Sequence, residues 1–234
     1  MAARWALLTT VITALCLAPV SSTLAQGKAA KRLESALARM PGGTLPVQLT
    51  LVAIKSDYRM EVWGADVLGN WYPLRTYPIM GFSGGPGPKL MEGDLQVPEG
   101  VYRPVALNPN SKYHLSVKLN YPNGLDKHYA RAEGRTRPGG DIFIHGDKAS
   151  SGCLAMGNTA IEEIYHLVEQ VGLGDTQVVI SPVDPRTTKL RPWPSSPVWT
   201  EHKYRRIRDT LASLGHKKSS PEAASASVFT PIRR

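Results

Sequence analysis

Between residues 47 and 181 the hydrophobic pattern has the short period of β-strands, and this limits what the chain can build. Runs rich in β-branched and aromatic residues at 47–54, 59–63, 72–80, 101–107, 114–120, 141–145 and 177–181 are separated by Gly, Pro and Asn turns. Such punctuation marks a mostly β domain. One stretch departs from it. Ile161, Ile164, Tyr165, Val168 and Val171 share a helical face between Thr159 and Gly172. Thr159 and Glu162 have the spacing of a capping box, and Gly172 supplies the stop. The expected fold class is therefore mainly β (α+β), with one main helix packed on its sheet. Residues 81–100 hold too much Gly and Pro for a strand and are expected as a shaped loop.

Neither end shares this pattern. Residues 1–25 carry one cation, Arg4, then an apolar run over 5–18 and small residues up to Ala25, which reads as a cleaved export signal. The run is shorter than the about 20 residues a membrane-spanning helix needs. Cys16 lies inside it, so the mature chain is expected to keep a single thiol, Cys153, and no intramolecular disulfide. Residues 26–46 read as a short amphipathic helix, carrying Leu33, Leu37 and Met40, followed by a linker. The formal charge of +9 over 234 residues is also uneven. Residues 26–184 hold 16 Lys+Arg and 16 Asp+Glu, whereas residues 185–234 hold 11 and 3. The basic balance therefore belongs to a tail, with a short basic helix expected over 200–214 and a Ser/Ala/Pro-rich, disordered stretch from Ser219. The cations Lys203, Arg205, Arg206 and Arg208 suit weak contact with an anionic membrane or wall polymer, screened by salt over about 8–10 Å. Export argues against nucleic acid as a partner.

The chemistry concentrates in Ile142-Phe143-Ile144-His145-Gly146-Asp147-Lys148-Ala149-Ser150-Ser151-Gly152-Cys153. This places a histidine at a strand end and a thiol after a short loop, just before the helix. A thiol becomes a competent nucleophile when a base takes its proton or an electropositive setting lowers its pKa from about 8.5. His145 is the histidine placed to act locally. Backbone N–H groups at Gly152 and Cys153 could face a developing oxyanion, with Ser151 beside them. The Gly146 carbonyl could orient the imidazole. From these residues alone, a second reading stays open, in which Cys153 is a small buried hydrophobe and His145 a hydrogen-bonded strand-end residue.

The same residues resemble a known family. Ile144-His145-Gly146, then Ser151-Gly152-Cys153, then a helix and a strand, resemble the catalytic motif of YkuD-type L,D-transpeptidases, the cysteine enzymes that remodel peptidoglycan. Gly87-Pro88-Lys89-Leu90, the run from Glu92 to Tyr102, Asn108-Pro109-Asn110-Ser111, Tyr121-Pro122-Asn123 and Gly152-Cys153-Leu154-Ala155-Met156 resemble the YafK-like branch. The resemblance covers about residues 45–185. It implies a YkuD-like β-sandwich or barrel-like domain over 47–184, between the signal (1–25) with its helix and linker (26–46) and the tail (185–234). It also implies Cys153 as nucleophile, His145 as base and the Gly146 carbonyl as orienting group, with no cofactor and no metal. The substrate implied is a peptidoglycan stem peptide, attacked at the amide on the L-centre of its diaminoacyl residue to give a thioester in the periplasm or cell envelope. An amine resolves the thioester by transpeptidation and water by hydrolysis, the latter including release of a peptidoglycan-linked lipoprotein. A wall-binding module without turnover is the third reading. Ser151 and Ala155 stand where the commoner YkuD pattern has a histidine and an arginine.

Other features carry less. Ser83-Gly84-Gly85-Pro86-Gly87-Pro88-Lys89 misses the spacing of a phosphate loop, and its prolines remove the N–H donors such a loop needs. His145, Cys153 and His166 lack the spacing of a zinc site. Glu92, Asp94 and Glu99 are candidates for a substrate wall or for solvated turn carboxylates. His114 is a candidate for the cleft or for a plain strand face.

Overall fold

The computed structural model describes residues 20–215. Residues 1–19 of the expected signal, with Cys16, and the stretch from Ser219 lie outside the described residues. The first helix, α1 (Val20–Leu37), runs through residue 25 and presents Leu33 and Ala36 to the core. Nine strands follow, interrupted by two helices and followed by a third: β1 (Gln48–Ile54), β2 (Arg59–Ala65), β3 (Trp71–Pro78), β4 (Gly100–Tyr102), β5 (Pro104–Ser111), β6 (His114–Leu119), α2 (Gly124–Ala132), β7 (Phe143–His145), β8 (Leu154–Ala155), α3 (Asn158–Val171), β9 (Thr176–Ser181) and α4 (Thr200–Ser213). The fold class is α+β and mainly β, with α3 directly after Cys153. Residues 81–100 form a loop, apart from a bridge between Gly81 and Ala155.

Two sheets result. A five-stranded sheet runs β3-β2-β1-β9-β4, with β1 and β9 parallel and the other pairs antiparallel. A four-stranded sheet runs β5-β6-β7-β8, with β7 and β8 parallel. Leu49, Leu51 and Ala53 on one face of β1 join Val117, Ile144, Leu154 and the apolar face of α3 in the main core. Val52 and Ile54 on its other face pack with Tyr204, Ile207 and Leu211 of α4. Both faces of β1 are thus buried, which explains why its burial does not alternate.

The tail assignment changes accordingly. Residues 185–215 belong to the packed domain, because α4 covers a sheet face that would otherwise be exposed. Lys203 is only 3% exposed, and its Nζ donates to Asp126 at 2.6 Å and to the Tyr102 hydroxyl at 2.9 Å. Arg208 pairs with Glu201. Of the four tail cations expected on an acidic surface, Arg205 and Arg206 are the exposed ones.

Two local expectations also change. The N-cap of α3 is Gly157 and no side chain caps the helix, so the Thr159–Glu162 box does not form. Glu162 instead binds Arg32 and His114. The capping box that does form is Asn123 with Asp126, opening α2, a helix hidden in sequence behind the turn residues Pro122 and Gly124.

Buried carboxylates fix the outer elements. Glu163, 1% exposed, accepts from Arg32 Nε (2.7 Å), Arg75 Nη1 (3.0 Å) and the Tyr77 hydroxyl (2.6 Å), joining α1, β3 and α3. Glu99 is fully buried and accepts from Lys55 Nζ (2.9 Å), the Gly87 N–H (2.9 Å) and the Tyr204 hydroxyl (2.6 Å). It is an internal strut, and neither a substrate wall nor a solvated turn carboxylate. Burial pushes the Lys55 pKa down in spite of Glu99. Removing the carboxylate would leave an ammonium group buried without a counter-charge. Glu99→Ala should therefore cost about 3–5 kcal/mol of stability in urea unfolding. A loss below about 1 kcal/mol would contradict the strut.

Candidate active site

Strand alternation puts the candidate residues on the outer face of the four-stranded sheet. His145 lies opposite Ser116 of β6, which lies opposite Asn108 of β5, and Phe143 projects from the same face of β7. Ile144, Val117 and Leu154 point into the core. The loop 146–153 then returns the chain to β8, which pairs with β7 as a parallel neighbour (Ile144 with Leu154, His145 with Ala155). Cys153 directly precedes β8 and so comes level with Phe143, whose N–H donates to Cys153 Sγ at 3.4 Å. Sγ in turn faces the Asp141 carbonyl at 3.7 Å. Cys153 and His145 line one cleft of about 390 Å³, with Asn108, Asn110, Ser111, Lys112, Tyr113, Ser116 and Phe143.

The imidazole is held on two sides. His145 Nδ1 donates to the Gly146 carbonyl at 2.6 Å, which leaves Nε2 as the acceptor. The Tyr113 ring packs against the imidazole with centroids 4.7 Å apart. Residue 146 must be glycine for steric reasons, since a Cβ there would lie 2.5 Å from the Tyr113 carbonyl oxygen. Gly152 has φ 89° and gives the turn into Cys153.

Burial sets the protonation of both groups. It lowers the His145 pKa below the usual histidine value, against the opposing effects of the Gly146 carbonyl and Asp147. It raises the Cys153 pKa, helped by Asp141 and opposed by the Phe143 N–H and Lys89. Both directions favour a thiol and a neutral imidazole in the cleft over a thiolate–imidazolium pair. The arrangement can carry out base-assisted attack by the thiol at the moment of reaction.

Several sequence-derived assignments change. The Gly152 N–H donates to Ser83 Oγ at 2.6 Å and the Cys153 N–H to Ser150 Oγ at 3.0 Å, so both expected oxyanion donors are occupied by hydroxyls. Ser151 is exposed and is not among the residues lining the cleft. Glu92 pairs with Arg137 on the surface. Asp94 organises its own loop by accepting from Lys89 and from the N–H groups of Leu90, Met91 and Gln96. Burial works to raise the Asp94 pKa, but Lys89 and these N–H groups outweigh it and hold the pKa below the usual carboxylate value. His114 points away from the cleft lining to Glu162 of α3, with Nε2 and Oε1 2.9 Å apart. The residues missed in sequence are Tyr113, Ser83 and Ser150. The position of Tyr113 next to His114 was the available signal for the first; the two serines act through loop contacts that spacing does not encode.

The family model described as YkuD, L,D-transpeptidase catalytic domain, matches residues 49–180. A curated protein of Escherichia coli (strain K12), named "Putative L,D-transpeptidase YafK", is 30% identical over 194 residues, covering 74% of this chain and 73% of the relative. Among solved structures, the helical cell shape determining protein Pgp2 from Campylobacter jejuni aligns with a TM-score of 0.49 at 21% identity, over 74% of this chain and 57% of that one. Bd1075 from Bdellovibrio bacteriovorus aligns with a TM-score of 0.43 at 19% identity, over 70% and 55%. The chain thus spans less than two thirds of the length of these solved neighbours.

The protonation states are directly measurable. The rate of Cys153 alkylation by iodoacetamide should rise with pH to a midpoint above the usual thiol value of about 8.5. A midpoint near 7 or below would mean that a thiolate–imidazolium pair already exists.

Proposed function

The chain belongs to the YkuD family of L,D-transpeptidase catalytic domains, and on that premise we propose that it is an exported cysteine acyl-transfer enzyme acting on peptidoglycan stem peptides. The observation that carries this reading is the meeting of Cys153 and His145 in one cleft, with Nδ1 tied to the Gly146 carbonyl and Nε2 left to accept a proton.

Cys153 Sγ attacks the carbonyl carbon of the amide on the L-centre of the diaminoacyl residue, and its proton passes to His145 Nε2. The tetrahedral oxyanion that forms needs two donors. The N–H groups of Gly152 and Cys153 become available when the Ser83 and Ser150 hydroxyls rotate off them. The imidazolium then returns its proton to the departing amine, the C–N bond breaks, and the acyl group remains on sulfur as a thioester. His145, neutral again, deprotonates the next nucleophile. An amine gives the cross-linked product and water gives hydrolysis. Cys153 stays partly open to solvent, so water can reach the thioester; this favours hydrolytic release of an amine-linked group, a peptidoglycan-bound lipoprotein included, as the second outcome of the same site.

Placement in the periplasm or cell envelope is part of the proposal. Among the described residues, no helix is long and apolar enough to cross a membrane. The tail cations left for an anionic membrane or wall polymer are the exposed Lys189 and Arg191, Arg205 and Arg206 on α4, and Lys217, Lys218, Arg233 and Arg234 beyond the described residues.

Incubation of purified muropeptides or sacculi with the protein, read by mass spectrometry, tests the reaction. Cross-linked or hydrolysed products should form with the native chain and disappear with Cys153→Ala, while far-UV circular dichroism stays unchanged. Equal product from both chains would exclude the thioester route. His145→Asn should lower kcat by about 10²–10⁴-fold. In the native enzyme, activity should fall as pH drops through a midpoint below about 6.5, because only the neutral imidazole accepts the thiol proton. A midpoint above that value would contradict the buried, neutral base.

A further inference from the structure

The cleft around Cys153 contains a cation with no counter-charge. Its lining includes no carboxylate, and its one charged side chain is Lys112. Neighbouring lysines are already paired, Lys118 with Asp141 at 2.7 Å and Lys89 with Asp94. Among the described residues, Lys112 has no carboxylate within ion-pair distance, and it is exposed.

The backbone holds this lysine over the reaction centre. Lys112 and Tyr113 form the turn between β5 and β6, with Ser111 paired to His114 across it. The Tyr113 N–H donates to Ser111 Oγ at 3.2 Å. His114 closes the turn at φ 74°, a conformation unfavourable for a side-chain-bearing residue, and is anchored to Glu162. The Tyr113 ring lies on His145, and Lys112 Nζ sits 5.9 Å from the centre of that ring. The ammonium group is therefore placed relative to the catalytic base through one aromatic ring. Asn108 and Asn110 flank it, and Asn108 Oδ1 already accepts from the Asn110 N–H at 2.9 Å, so the Asn108 side-chain NH₂ is directed to other acceptors. Ala155, the register partner of His145 on β8, is fully buried and brings no charge to this cleft.

We propose that Lys112 is the specificity-determining cation of this cleft and binds a carboxylate of the peptide substrate, with the Asn108 amide as a neutral second donor. The proposal rests on the reaction assigned above, in which the donor peptide carries free carboxylates on both sides of the scissile amide. Substrate binding is then directed by the β5–β6 turn and not by the residues that follow the nucleophile.

Calorimetric binding of a synthetic stem peptide to the Cys153→Ala chain tests this without turnover. Adding Lys112→Ala to that chain should weaken binding about tenfold, Lys112→Glu should weaken it further, and Lys112→Arg should restore it. Two modified peptides, one amidated at its C-terminus and one at the free carboxyl of the diamino diacid, identify the partner. The peptide lacking the bound carboxylate should bind weakly and equally to the chain that keeps Lys112 and to the chain carrying Lys112→Ala. In the native background, Lys112→Ala should raise KM by the same factor and leave kcat within about twofold. No peptide binding, equal binding with and without Lys112, or a Lys112 effect that survives both amidations would overturn the proposal. Lys112-dependent binding without turnover by the native chain would instead overturn the acyl-transfer reading and leave the carboxylate site standing.

Discussion

The register of β7 between β6 and β8 is the constraint on which the site depends. His145 and Phe143 share the outer face of the sheet because Ile144 between them is committed to the core with Val117 and Leu154. A slip of one residue would turn the imidazole into the apolar core and place Ile144 in the cleft. All three core residues are fully buried, so the apolar side alone excludes that slip. The loop 146–153 must then join two adjacent parallel strands with far fewer residues than the usual crossover of a dozen or more. Its unusual backbone follows from this demand, with φ of 60° at Asp147 and 89° at Gly152. The loop is secured by the Asp147 N–H to Asn158 Oδ1 (2.9 Å), the Met156 N–H to the His145 carbonyl (2.8 Å) and the Gly157 N–H to the Asp147 carbonyl (2.9 Å).

A second layer of order comes from charges buried away from the thiol. Ion pairs of this kind rarely stabilise a fold more than a well-packed apolar substitute would, because desolvation offsets the attraction. What they add is direction. Glu99 receives the Gly87 N–H, and its partner Lys55 also donates to the Gly85 carbonyl at 2.5 Å, so both members grip the loop 81–100. That loop carries Ser83, which donates to the Leu95 carbonyl and accepts the Gly152 N–H. Tyr204 of α4 reaches Glu99 from the opposite side of the sheet. The C-terminal helix is thereby connected to the nucleophile loop through hydrogen bonds, a link that neither segment discloses by itself.

How much of this was legible in sequence follows from the range of the interactions. Most strands, α3 and the placing of Cys153 and His145 near each other were readable because each rests on local periodicity or on a short spacing, whereas the run 101–107 divides into β4 and β5 of different sheets and the two-residue β8 gave no periodic signal. The fully buried faces of β1 were not, since their cover is α4, which begins beyond residue 199 and looked like part of a basic tail. Lys203 misled for the same reason: its net contribution to charge is cancelled by Asp126, distant in sequence. Asp94, Glu99 and His114 were visible as polar residues near the motif, but a carboxylate that accepts backbone N–H groups and one that meets substrate have the same letter. Helix α2 was hidden because Asn123 caps it while Pro122 and Gly124 advertise a turn.

Protonation ties the chemistry to the setting. A cysteine held as a thiol is a poor nucleophile, and also a poor target for oxidants, since both attack and oxidation proceed through the thiolate. Burial that raises the Cys153 pKa therefore protects the one described thiol of a chain expected to work in an oxidising compartment, at the expense of resting reactivity. In the proposed reaction the neutral His145 supplies what burial withholds, but only when a substrate carbonyl lies within reach of Sγ, because proton removal and attack must then occur together. The Ser83 and Ser150 hydroxyls act in the same sense. While they occupy the Gly152 and Cys153 N–H groups, the site offers no oxyanion donors, and a bound carbonyl must compete for them. Thiol, imidazole and donors are thus all held in neutral, partnered states, which on the proposed reaction an acyl donor in the cleft converts together. Such a site gains selectivity against small electrophiles, which lack the binding contacts needed to displace two serine hydroxyls, and retains reactivity toward a peptide positioned along the β5–β6 turn.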